Sequence, residues 1–171
     1  MEIAAQLKDA TTQREFAELL ERNRGLVFKV ANGYGRDAED RADLAQEIAA
    51  QLWRAYPGYD PARSFSTWMY RIALNVAISF VRGDGARRQH AVPLDEDLHD
   101  VGIDGADHEA EQHLRLLRRC IERLEPLNRA LLLLYLEDRS HREIAEVLGI
   151  SESNVATKLN RLKQRLRDDI A

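Results

Sequence analysis

Residues 143–162 read EIAEVLGISESNVATKLNRL, from Glu143 to Leu162. A short helical pattern stops at Leu148-Gly149-Ile150-Ser151, and a second begins at once. Gly149 suits the left-handed turn that ends a helix, because it has no Cβ to clash there. Ser151 offers a hydroxyl oxygen to the N–H groups that the next helix leaves unpaired in its first turn. Upstream, Ser140 and Glu143 have the spacing of a capping box. In the second helix Val155, Leu159, Leu162 and Leu166 form one narrow stripe at 100° per residue. With Ile144, Leu148, Ile150, Leu132 and Tyr135 they are expected to fill a three-helix core. Helix, glycine turn and capped helix together predict a helix-turn-helix.

The opposite face of the second helix carries Ser153, Thr157, Asn160 and Gln164, with Asn154 and Arg161 beside them. Short polar side chains are suited to base edges, and a neighbouring cation to the backbone. Lys158, Lys163, Arg165 and Arg167 lie on the flanks, where phosphates would run.

An acidic chain is an odd host for such a face. The net charge is −4 over 171 residues. Its distribution resolves the oddity. Residues 1–82 hold 11 basic and 11 acidic side chains, residues 83–112 hold 2 and 9, and residues 113–171 hold 12 and 9. The acidity sits in the middle segment, and local fields rather than the total decide what binds. That segment, with four glycines and a proline among its acids, is expected to be an extended linker with little core of its own.

The first segment reads as helical throughout. Phe16, Leu19, Leu20, Leu26, Val27 and Val30 recur at helical spacing, with Thr11 or Thr12 as the expected N-cap and Gly33 and Gly35 as the stop. DAEDRADLAQEIAAQLWRAY, 37–56, predicts a second helix with acids in its first turn and Arg54 near its end, as the helix dipole favours. PGYDPARS, 57–64, is a loop. In SFSTWMYRIALNVAISFVR, 64–82, the residues Phe65, Met69, Ile72, Ala73, Val76 and Phe80 share the expected buried face, with a stop at Gly83. Thr67, Arg71, Leu74, Asn75, Ile78 and Arg82 are expected to point outward. An amide between two arginines suits nucleic acid, and Tyr59, Arg63 and Ser64 in the loop place an aromatic and a cation where an unstacked base can be held. After the acidic segment, EQHLRLLRRCIERL predicts a helix ending at Glu125-Pro126, and LNRALLLLYLED a strongly apolar one.

Two stretches resemble one family. DLAQEIAAQLWRAYPGYDPARSFSTWMYRIALNVAISFVR is similar to the second conserved region of bacterial RNA polymerase sigma factors. LEPLNRALLLLYLEDRSHREIAEVLGISESNVATKLNRLKQRLR is similar to the fourth. The short chain with only a linker between resembles the extracytoplasmic-function group, over about residues 10–83 and 113–167. The resemblance implies an all-α protein of two small helical domains joined by an acidic flexible linker. Its parts would be residues 1–84, a linker 85–112, and a helix-turn-helix domain 113–171. It implies core RNA polymerase and promoter DNA as partners, with an anti-sigma protein holding many relatives.

Residue by residue, Asp43, Gln46 and Glu47 match the family's Asp-x-x-Gln-Glu, which docks on the polymerase clamp helices; a carboxylate–amide–carboxylate face is a ready partner for arginines. Tyr59, Arg63, Ser64, Arg71, Asn75, Ser79 and Arg82 match the part that opens and reads the −10 element, where holding a flipped base offsets its unstacking. Arg142, Ser151, Ser153, Asn154, Thr157, Lys158, Asn160 and Arg161 match the −35 reader. In relatives the linker threads the polymerase RNA channel, and an acidic strand suits a channel lined with cations. The chain departs from the family at Leu74 and Ala156, which are commonly basic, and at Ser79, commonly Asp. Two fewer cations near DNA are expected to weaken non-specific affinity or shift promoter choice.

Other readings are weaker. A stand-alone helix-turn-helix regulator has no need of Asp-x-x-Gln-Glu followed by SFSTW. A protein adaptor has no need of Arg161 and its basic neighbours. An enzyme lacks its chemistry: no phosphate loop, nucleophile pattern or paired buried carboxylates is visible. His90, His99, His108 and His113 lie in or beside the acidic segment, and His99, Asp104 and His108 have at most an adventitious metal-binding pattern. Cys120 is expected to be a small core residue. No catalytic residue, metal or cofactor is expected. No apolar run reaches membrane-span length and no export signal is visible, so a cytoplasmic location is expected.

Overall fold

The computed structural model describes the backbone of residues 2–88 and 108–171, and the side chains of 8–83 and 108–171. Its described residues form eight α-helices: α1 Glu2–Arg22, α2 Arg24–Tyr34, α3 Ala38–Ala55, α4 Phe65–Arg88, α5 His108–Glu122, α6 Pro126–Leu136, α7 His141–Leu148 and α8 Glu152–Ile170. A short 3-10 turn, Tyr56–Gly58, follows α3. Of the segment expected to be linker, 85–88 and 108–112 are helical, and 89–107 lies outside the described residues together with His90, His99 and Asp104.

Helix ends follow local chemistry, though not always where the sequence pointed. The expected cap at Thr11 or Thr12 is absent. α1 runs straight through both, and the Thr12 hydroxyl donates to the Lys8 carbonyl one turn back at 2.9 Å, which satisfies a polar side chain inside a helix. The chain breaks instead at Asn23, whose amide donates to the Leu19 carbonyl at 2.9 Å. Gly35 ends α2, and Gly33 lies within it. Nor does Gly83 stop α4, which continues to Arg88; one exposed glycine costs a helix only about 1 kcal/mol.

α3 starts on Asp37, whose carboxylate accepts from Asp40 N at 2.7 Å. Leu44, Ile48 and Leu52, spaced i, i+4, i+8, are fully buried, and the helix packs its apolar stripe on α2 and α4.

α4 is buried on a wider arc than expected. Beside the anticipated Met69 and Ala73, the core takes in Tyr70, Leu74 and Ala77. Leu74, expected outward, is only 1% exposed, and Ile78 is half-buried. Ser66, Tyr70 and Leu74 follow each other at i, i+4, i+8 and so border one side of the helix. That side meets the C-terminal half: Arg139 donates to Ser66 Oγ at 3.1 Å and lies over the Tyr70 ring at 5.0 Å. Leu74 therefore gives up no cation to DNA, because it does not face solvent.

The two helical halves share one continuous apolar cluster, α2 and α4 against α6 and α7. The buried Tyr34 hydroxyl donates to the Pro126 carbonyl at 2.7 Å, and Arg129 donates to the Gly33 carbonyl at 3.2 Å. Burial pushes the Tyr34 phenol well above its usual range, with the nearby Arg129 charge opposing.

The helix-turn-helix forms as its punctuation predicts. Glu143 N donates to Ser140 Oγ at 3.1 Å, and Ser140 N to Glu143 Oε2 at 2.8 Å, a reciprocal capping box. Gly149 takes φ 68°. Ser151 Oγ accepts from Asn154 N at 3.2 Å. Ile144, Val155, Leu159 and Leu162 are buried, whereas Tyr135, expected in the core, is exposed. Cys120 is half-buried. A Cβ at Gly149 would meet nothing within 4 Å, so only the left-handed backbone opposes a side chain there. Gly149→Ala is therefore expected to cost about 1–2 kcal/mol, readable as a lower denaturation midpoint with an unchanged m value.

Candidate polymerase and nucleic-acid interfaces

Asp43, Gln46 and Glu47 all lie exposed on α3, opposite the Leu44–Ile48–Leu52 stripe. Gln51 donates to Glu47 Oε1 at 2.9 Å and holds that carboxylate on the helix surface. Seven residues beyond Gln46, hence on the same line of the helix, stands Trp53. It is 41% exposed, with its ring leaning on Phe16 at 5.1 Å between centroids. Sequence reading passed over Trp53, although the i+7 spacing from Gln46 was there to be used.

The loop between α3 and α4 is built on aromatic rings. Tyr59 stacks on Tyr56 at 6.1 Å and packs against Phe65 at 5.2 Å and Trp68 at 5.0 Å. Its hydroxyl donates to the Arg63 carbonyl at 2.9 Å, and Asp60 Oδ1 accepts from Ala62 N at 3.0 Å. Tyr59 is thus a half-buried member of a cluster that shapes the loop. Arg63 and Ser64 stand exposed at its end, and Ser64 Oγ accepts from Thr67 N at 3.4 Å. Along α4, Arg71, Asn75, Ser79 and Arg82 are all exposed and follow at i, i+4, i+8, i+11, which gives one polar strip continuing from that loop.

On α8, Ser153, Asn154, Thr157, Asn160, Arg161 and Gln164 are all exposed, on the side away from Val155, Leu159 and Leu162. Arg142 is exposed in the first turn of α7, and Lys158 is half-buried on the flank. Two hydroxyls are partly committed: Ser151 is the cap, and Thr157 donates back to the Ser153 carbonyl at 3.0 Å. Lys163, expected beside phosphates, instead sets its ammonium 4.1 Å above the Tyr135 ring. It rims an apolar groove between α5, α6 and α8 that includes Leu117, Ile121, Leu136 and Leu166. Among the described residues no His, Cys, Asp and Glu cluster able to hold a metal is present.

One face thus carries acids and an exposed Trp, and two others carry cations and amides. Comparison with known proteins identifies the family. Sigma-70 region 2 matches residues 19–87, and Sigma-70 region 4 matches 114–166. The ECF RNA polymerase sigma factor RpoE of Cereibacter sphaeroides is 32% identical, over 94% of this chain and 91% of its own length. The chain belongs to the ECF sigma factors of bacterial RNA polymerase. The ECF sigma factor SigE of Mycolicibacterium smegmatis is 30% identical over 95% of this chain, which spans 64% of that relative's length. In fold, the chain is similar to a sigma factor RpoE solved with the anti-sigma factor NepR from Bartonella quintana, at TM-score 0.74 and 16% identity, covering 92% of this chain and 97% of that one. A second likeness is to CnrH in complex with the cytosolic domain of CnrY, at TM-score 0.65 and 23% identity, covering 91% and 87%. As an ECF sigma factor, the chain serves transcription initiation and binds DNA.

Proposed function

We propose that residues 1–84 dock on core polymerase and read the −10 element, and that residues 113–171 read the −35 element. The observation that supports this best is the segregation of faces on buried scaffolds. Asp43, Gln46 and Glu47 on α3 meet the polymerase. Trp53 extends that face as an aromatic anchor, the type of residue that dominates protein interfaces. Arg63, Ser64, Arg71, Asn75, Ser79 and Arg82 meet the −10 strand, with Tyr59 shaping the loop that presents Arg63. Arg142, Ser153, Asn154, Thr157, Lys158, Asn160 and Arg161 meet the −35 major groove, with Ser151 fixing the start of the helix. The protein itself performs no catalysis, and its place of work is the cytoplasm. An anti-sigma protein is a further partner, and the groove rimmed by Lys163 and Arg167 offers it an apolar floor with a cationic edge.

The test is transcription in vitro with purified core polymerase on a cognate promoter. A transcript that depends on this protein is expected; no dependence would sink the reading. In the same assay Arg161→Ala should weaken −35 binding about 10-fold, in line with about 1–3 kcal/mol for one good base or phosphate contact, with core binding unchanged. Equal loss of both would remove Arg161 from the reader.

A further inference from the structure

We propose that Phe16 of α1 is a positioning residue for −10 recognition. Its ring sets Tyr56, and through Tyr56 and Tyr59 it fixes the loop that presents Arg63 and Ser64. This deepens the −10 assignment above and rests on it.

α1 is thinly packed. Among its described side chains Phe16 alone is buried, Thr12, Leu19 and Leu20 are half-buried, and the rest are exposed. A helix with so narrow an apolar stripe adds little to a core. Its one buried ring instead meets two rings at the end of α3, those of Trp53 and Tyr56. Both centroids stand 5.1 Å away, with planes tilted by 54° and 56°, within the range that aromatic pairs prefer. Glu15, the neighbour of Phe16, also acts on Tyr56. Burial first, then the Glu15 charge and Tyr59, raise the Tyr56 phenol above its usual range. α1 thus meets Tyr56 with a ring and a carboxylate from consecutive residues.

From Tyr56 the path to the DNA face is short. Tyr59 stacks on Tyr56 with 16° between planes, and Trp68 of α4 meets Tyr56 edge-on at 6.3 Å. Tyr59 N donates to the Tyr56 carbonyl at 2.9 Å and closes the 3-10 turn, in which Pro57 fixes its own φ. The two tyrosines are therefore tied by backbone as well as by stacking. Beyond them, the Tyr59 hydroxyl holds the Arg63 carbonyl, and Arg63 N donates to the Asp60 carbonyl at 3.0 Å. Among the described ring contacts, Phe16 reaches this loop only through Tyr56. Holding the loop matters because strand capture must offset the unstacking of a base. A contact set that is already in place loses less to ordering than a mobile one. Without the Phe16 ring, Tyr56 and Tyr59 gain freedom and Arg63 and Ser64 drift with them. The loss then falls on −10 preference, while the outward face of α8 is untouched.

The test uses holoenzyme with core polymerase in excess, so that every copy of the factor is docked. It is titrated with labelled single strands carrying either the cognate −10 sequence or a scrambled one. Phe16→Leu keeps apolar bulk and removes the ring. It should cut the ratio of cognate to scrambled affinity about fivefold, the scale of one lost aromatic pair, with helix content and −35 duplex affinity unchanged. Phe16→Tyr keeps the ring and should keep the ratio of the unmodified protein. A role in the fold alone would follow apolar bulk rather than the ring, and would leave the ratio where it was. If Phe16→Leu loses helix content, Tyr56→Leu replaces it, breaking the same stack with the same expected fall. An unchanged ratio in the folded variant, an equal loss of −35 binding, or a Phe16→Tyr ratio as low as that of Phe16→Leu would each overturn the proposal. No preference for the cognate strand in the unmodified holoenzyme would bring down the −10 assignment itself, and the proposal with it.

Discussion

Asp43→Arg is expected to abolish core-polymerase binding, with a loss of about 100-fold or more, while helix content and melting temperature stay as they were. The side chain is exposed on α3, and the buried stripe that anchors the helix lies on the other side. The caps and acids of the first turn, Asp37, Glu39 and Asp40, are untouched. Arginine is a good helix former, so the cost to the fold is a few tenths of a kcal/mol at most. At an interface with arginines the sign reversal does two things. It removes a charge-assisted hydrogen bond, and it sets a cation against cations. Truncating one member of a buried charged pair costs about 2–5 kcal/mol, and each 1.4 kcal/mol is tenfold in affinity. Gln46→Ala, which removes only neutral hydrogen bonds, should lose far less. Affinity is read by titrating labelled core enzyme with each variant. Binding of Asp43→Arg within threefold of the unmodified protein would take α3 out of the docking surface.

What could be read from the sequence follows a physical divide. The helix-turn-helix was legible because its determinants are local: Ser140 with Glu143, the glycine at φ 68°, the Ser151 cap and a stripe of period 3.6 all lie within one short stretch. The exposed sets on α3 and α8 were legible for the same reason, and on α4 so were Arg71, Asn75 and Arg82, whereas Thr67 and Ile78, also expected outward, are half-buried. Leu74 was not, because its burial depends on a second half arriving from beyond residue 107. A helix with one apolar face and one partner was the expectation, and α4 has partners on two sides. Tyr135 erred in the opposite sense. Its position on an apolar helix placed it inside, but the groove between α5, α6 and α8 leaves its ring free for Lys163. Thr12 and Gly83 show the limit of punctuation: each disfavours helix by an amount that neighbouring turns outweigh.

Leu159→Ala and Asn160→Ala, adjacent in sequence, should fail in opposite ways. Leu159 is 2% exposed, midway along the stripe between Val155 and Leu162 that ties α8 to α6 and α7. Its truncation removes buried methyl groups and leaves a cavity, at a cost of about 2–5 kcal/mol. In a domain of this size each kcal/mol moves the melting point by about 2–4 °C, so a fall of roughly 4–20 °C is expected. Asn160, one residue on, lies on the exposed side. Its truncation should leave the melting point within a degree or two. What it removes is an amide able to pair with an adenine edge, worth about 1–3 kcal/mol of discrimination. Asn160→Ala should accordingly flatten the preference for the best −35 sequence about 10-fold while general DNA affinity persists. Leu159→Ala should weaken all −35 sequences alike as α8 loosens. Core binding through α3 should survive both, since that helix and its charges belong to the other half. Thermal melts read by circular dichroism, set beside a panel of single-base promoter variants, separate the two outcomes. If Asn160→Ala destabilised the fold as much as Leu159→Ala, the outward face of α8 would be structural and the −35 assignment would fall with it.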